Sequence, residues 1–66
     1  MNIQLNGESR TLTRHMSLQE LLEAEGLAER RVAVEVNGEI VPRSQHGERA
    51  LAEGDVIEIV HALGGG

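Results

Sequence analysis

"DVIEIVHALGGG", residues 55–66, is the most apolar stretch of the chain, and its reading decides the fold. Ile57 and Ile59 share one parity, while Val56, Glu58 and Val60 share the other. Period-2 alternation marks a strand, and apolar residues on both faces suit a strand flanked on both sides. The stretch is therefore expected to be the central strand of a sheet, running straight into Gly64, Gly65 and Gly66. Glycine loses the most conformational freedom on ordering and offers no side chain to pack. A triple glycine is thus either a frayed end or a place where bare backbone is used.

Working outward, "RRVAVEVNGEIV" (30–41) supplies a second strand pair. Val32, Val34 and Val36 lie on one face, with Ala33 and Glu35 on the other. Asn37-Gly38 is a hairpin signal, because both residues tolerate the positive φ of a type I′ turn, and Glu39–Val41 returns as a short strand. Pro42 cannot donate to a ladder and ends it. "MNIQLNGESRTLT" (1–13) repeats the device: Ile3 and Leu5 alternate with Gln4 and Asn6, and Asn6-Gly7 turns the chain. The return strand, Ser9 to Thr13, is polar apart from Leu12 and is expected at an edge.

"SLQELLEAEGL" (17–27) reads as a helix of two to three turns. Ser17 caps it, and Glu20 three residues on completes a capping box. Leu18, Leu21 and Leu22 form the apolar stripe, with Gln19, Glu20 and Glu23 outward. Gly26 suits the left-handed position that ends a helix, and Leu27 the accompanying apolar contact. "RSQHGERALAEG" (43–54) is a polar connection with Leu51 as its core anchor, closing on a tight turn at Glu53-Gly54-Asp55. The order strand, strand, helix, strand, strand, strand, with one helix to cover one sheet face, predicts an α+β two-layer domain. Its size and element order are those of the ubiquitin-like β-grasp: a mixed five-stranded sheet with one main helix on one face. Alternation alone does not choose the strand order; pairing of the first and last strands is taken from that fold.

Composition limits the functions open to such a domain. Sixty-six residues make one domain with a small core, since a chain of this size buries only about 60% of its unfolded surface. With no cysteine, neither a disulfide nor a thiolate metal site is available, which fits a cytoplasmic setting. Without aromatic residues there is no stacking platform for single strands, and a net charge of −5 repels phosphate backbones, so nucleic acid is excluded as a partner. No apolar run is long enough to span a bilayer, and the N-terminus lacks a signal-peptide pattern. A monomer without a membrane partner is expected.

Catalytic constellations are missing. His15, His46 and His61 are scattered, and they read as surface or half-buried imidazoles rather than convergent ligands. His61 comes closest to a role, because its parity with Ile57 and Ile59 brings it near the tail. Glu20, Glu23 and Glu25 are assigned to the beginning of the helix, where carboxylates favour the macrodipole. The glycine run has no following helix, and the chain has no lysine, so it is not a phosphate-binding loop. What remains is the terminal carboxylate. Adenylation converts such a group into a mixed anhydride that a sulfur nucleophile can attack. Residues without Cβ atoms can thread a narrow channel and leave the carbonyl unhindered.

The whole chain resembles the thiamin-biosynthesis sulfur carriers, the ThiS family, which are short β-grasp domains ending in Gly-Gly. The matching stretches are the "LNG" hairpin, "LQELLEAEGL", "VAVEVNGEIVPR" and "LAEGDVIEIVHALGGG", in that order. The resemblance implies a carrier rather than an enzyme, with residues 1–63 as domain and 64–66 as a flexible tail. Gly66 would carry the carboxylate or thiocarboxylate, and Gly64 and Gly65 would thread the partner. A ubiquitin-activating-type adenylating enzyme would use ATP and magnesium, which this chain itself does not bind. A persulfide protein would supply sulfur, and thiazole synthase would receive it. Val56, Glu58 and Val60, with Glu35 beside them and His61 and Leu63 near the tail, are the candidate docking residues. Three alternatives stay open at this point: the molybdopterin-synthase small-subunit carriers, a protein modifier of the ubiquitin type, and a β-grasp interaction module without covalent chemistry.

Overall fold

The computed structural model describes residues 1–61. In chain order the elements are β1 (Asn2–Leu5), β2 (Glu8–Thr11), α1 (Leu18–Ala24), β3 (Val32–Val36), β4 (Glu39–Ile40) and β5 (Val56–His61), with a 3₁₀ turn at Arg43–Gln45 before β5. They form a five-stranded sheet ordered β2-β1-β5-β3-β4. β1 runs parallel to β5, and the other pairings are antiparallel. The most apolar strand is thus central, as its alternation predicts.

Both hairpins close on two-residue turns. Asn6 and Gly7 take φ of 50° and 83°, and Asn37 and Gly38 take 54° and 85°. Such turns lock register, so Leu5 faces Glu8 and Val36 faces Glu39. The first return strand therefore begins at Glu8 and ends at Thr11, earlier than the Ser9–Thr13 expected from its composition.

The helix forms as its ends dictate. Ser17 Oγ accepts from Glu20 N at 3.1 Å and Glu20 Oε1 accepts from Ser17 N at 2.9 Å. The next orphan amides are met by the loop wrapped around this end: Leu18 N donates to Arg49 O and Gln19 N to His46 O. At the other end Gly26 has φ 74°. Its N–H reaches Glu23 O, and Leu27 N reaches Leu22 O at 2.8 Å, which is a Schellman closure. Only Glu20 lies in the first turn. Glu25 is the C-cap, where its charge opposes the macrodipole. Its placement at the helix beginning is corrected: a bidentate pair to Arg10 of β2, at 2.9 and 3.0 Å, holds it there.

Leu18, Leu21 and Leu22 pack on the inward residues Ile3, Leu5, Val34, Val36, Ile57 and Ile59, and Leu51 closes the layer. Val32, expected among them, is half-buried at the margin. His46 departs from the surface or half-buried reading. It is buried at 3% exposure, with Nε2 hydrogen-bonded to Val41 O at 2.9 Å. The 3₁₀ turn folds its ring inward, and a buried imidazole needs such a partner. No helix among the described residues is long and apolar enough to cross a membrane.

Candidate functional site

Among the described residues one α-helix covers one face of the sheet, and the other face is open. Strand parity puts Val56, Glu58 and Val60 of β5 on the open face beside Ala33 and Glu35 of β3. Exposures of 39% at Val56 and 60% at Val60 place both in solvent. The register sets Ala33 opposite Val60, and Glu35 opposite both Glu58 and Ile40. Ile40, 63% exposed, thereby joins the same face, so the three large apolar residues most exposed among those described lie together. Sequence reading missed Ile40, although the signal was present. A two-residue turn at Asn37-Gly38 pairs position 35 with position 40 and gives them one face.

Electrostatics sharpen the face. Glu35 and Glu58 are direct cross-strand neighbours, and neither has an ion-pair partner among the described residues. Like charges directly opposite one another are destabilising in a sheet. A cationic side chain seated between them would remove that penalty, with Val56, Val60 and Ile40 supplying apolar contact around it. The charge pattern thus suits a partner with a basic residue inside an apolar rim.

β5 ends at His61, which is exposed and paired with Val32; its parity is that of Ile57 and Ile59, so it does not belong to the open face. Leu63, Gly64, Gly65 and Gly66 lie outside the described residues. His15 is exposed, His46 buried and His61 at the end of β5, so the three imidazoles do not converge. Among the described residues no group of three or more histidine, cysteine or acidic side chains is placed to hold a metal ion.

Comparison with known proteins follows this geometry. The ThiS family model matches residues 3–66. The sulfur carrier protein ThiS of Bacillus subtilis is 40% identical over 65 residues, covering 97% of this chain and 98% of that one. A thiazole synthase of Paramagnetospirillum magneticum is 44% identical over 66 residues, and the chain spans 20% of its length. Among solved structures, the crystal structure of the thiamine biosynthesis protein ThiS from Geobacter metallireducens matches with a TM-score of 0.86 at 33% identity, both chains being covered in full. The mixed sheet, its single helix and this match make the fold a β-grasp. With sequence and fold in agreement, the chain belongs to the ThiS family.

Proposed function

We propose that this chain is a sulfur carrier for thiamin biosynthesis, acted on by enzymes rather than being one. The observation that carries the proposal is the family match through residue 66, together with near end-to-end similarity to the Bacillus sulfur carrier. A thiazole synthase that contains a stretch similar to this chain supports thiazole synthase as the recipient of the sulfur. The reaction needs a free α-carboxylate on Gly66. One carboxylate oxygen attacks the α-phosphorus of ATP on a ubiquitin-activating-type enzyme, and pyrophosphate leaves with the aid of magnesium. A persulfide sulfur from a donor protein then attacks the acyl-adenylate carbonyl and expels AMP. A second thiol cleaves the resulting acyl disulfide, leaving the thiocarboxylate on Gly66 and a disulfide on the donor side.

In this reading the chain contributes presentation. Gly64 and Gly65 pass through the channel, His61 and Leu63 flank its mouth, and the open face of β5 and β3 holds the enzyme in register. Intact-mass measurement of the protein isolated from its own cells tests the reading. Exchange of oxygen for sulfur adds about 16 Da at the terminus. A population that never gains this increment while thiamin is being made overturns the carrier role. A gain equal to a whole protein would instead establish a modifier.

A further inference from the structure

Asn6-Gly7 and Asn37-Gly38 are chemically reactive dipeptides as well as turns. Glycine leaves its backbone nitrogen unscreened, and that nitrogen can attack the preceding asparagine Cγ. The attack closes a succinimide and expels ammonia; water then opens the ring to an aspartyl or β-aspartyl link. One water enters, one ammonia leaves, and nothing is oxidised or reduced. Local sequence does not separate the two sites, which read Leu-Asn-Gly-Glu and Val-Asn-Gly-Glu. Turn geometry does not separate them either, with φ of 50° at Asn6 and 54° at Asn37.

Their carboxamides are held differently. Asn37 Oδ1 accepts from Val56 N at 2.9 Å, and its Nδ2 donates to Asp55 Oδ1 at 2.9 Å. Asp55 is itself 5% exposed and fixed by Ala52 N at 2.8 Å, so the Asn37 carboxamide is tied at both ends to a rigid anchor. Asn6 Oδ1 accepts from Ile59 N at 2.7 Å, while its Nδ2, the leaving group, donates to no described residue. A backbone N–H thus sits on the oxygen that gains negative charge during attack at both sites, as an oxyanion donor does, and does not separate them. What separates them is the departing nitrogen, held by Asp55 at Asn37 and by no described residue at Asn6.

We propose that Asn6 is a site of self-modification by succinimide formation, and that the Asp55 anchor protects Asn37 from the same chemistry. A β-aspartyl link at Asn6 lengthens the backbone of a turn that sets the β1–β2 register and also alters the contact to Ile59 N.

The test uses the full chain, folded, held at mildly alkaline pH and sampled over time. Peptide mapping reads the amide-to-acid mass shift at each site, and enzymatic methylation reads β-aspartyl content. Asn6 is expected to convert several-fold faster than Asn37 in the folded protein, with the two rates converging in denaturant. Asp55→Asn should raise the Asn37 rate and leave Asn6 unchanged; should that variant fail to fold, the folded-versus-denatured comparison on the parent decides alone. Equal rates when folded, or a faster Asn37, overturn the proposal. So does a difference that persists in denaturant, because the fold would then not be its cause.

Discussion

Asn37 sits at φ 54°, in a turn that asparagine tolerates, and its side chain then completes the sheet. Beyond the last β3 residue paired with β5, its backbone N–H donates to Val56 O at 2.8 Å and its Oδ1 accepts from Val56 N. Asn6 repeats this across β1, with its N–H on Ile57 O and its Oδ1 on Ile59 N. The two turns thus fasten the central strand from both sides. Asn37→Gly keeps the turn and removes only the side-chain bonds, leaving the buried Asp55 short of a donor. Leaving a buried group unsatisfied costs about 1–3 kcal/mol, and that loss is expected in urea unfolding. A midpoint equal to the parent's would show that these bonds contribute nothing net. Glu20 gives a pH signature at the same scale. The Ser17 backbone N–H, and after it the Arg14 side chain, hold its carboxyl below the ordinary carboxylate value. Its folded value being lower than its unfolded one, the stabilisation is present above the unfolded value and is lost as pH falls through the folded value. Glu20→Gln retains an acceptor for Ser17 N but carries no charge. Thermal melts across the acid range should therefore show a shallower decline for the variant; identical slopes would separate Glu20 from acid stability.

At the scale of elements, β5 concentrates the packing. Ile57 is fully buried and Ile59 is 7% exposed, and β5 is bonded to a strand on each side. Ile59→Ala is expected to cost about 2–5 kcal/mol, as for other buried large-to-small changes. A small single core has little beyond that in reserve, so circular dichroism should find the variant partly unfolded at room temperature. A parent-like melt would place Ile59 outside the core. The elements most legible in the sequence are those whose signals are local: two Asn-Gly turns, a Ser17–Glu20 capping box, the Gly26 stop and the parity of β3 and β5. What escaped depends on contacts across the chain. Glu25 cannot be placed without Arg10, which reaches it from β2. His46 cannot be read as buried until the 43–49 loop wraps the helix N-terminus and brings its ring back to Val41 O. Pairing of β1 with β5 rests on the β-grasp arrangement, because alternation alone does not choose the strand order; the parallel direction is seen in the structure.

For the molecule as a whole, the one α-helix and five strands of the described residues leave one face of the sheet uncovered, and the proposed carrier role gives that face its use. The open face carries Ile40, Val56 and Val60 around the opposed Glu35 and Glu58, on the strand that leads toward the glycines. Apolar contact and charge then act on different parts of the binding reaction. Desolvating Val60 contributes mainly to how long a complex lasts, whereas an unpaired acidic pair steers a basic partner during approach. Val60→Asp should weaken binding to the adenylating enzyme at least several-fold, chiefly through faster dissociation, while far-UV circular dichroism stays native. Glu58→Arg separates the two contributions. It pairs with Glu35 across the strands, which relieves the repulsion within the sheet and should raise the melting temperature slightly. The same change removes the attraction for a basic partner, so association should slow, and the defect should shrink as salt shortens the screening length from about 30 Å at 0.01 M to about 8 Å at 0.15 M. Stopped-flow binding at two ionic strengths, read beside the melting temperature, distinguishes these effects. A more stable Glu58→Arg variant that associates more slowly only at low salt identifies the acidic pair as held in reserve for a partner. Unchanged binding in both variants would move the docking surface off this face and leave the glycine tail as the proposed contact.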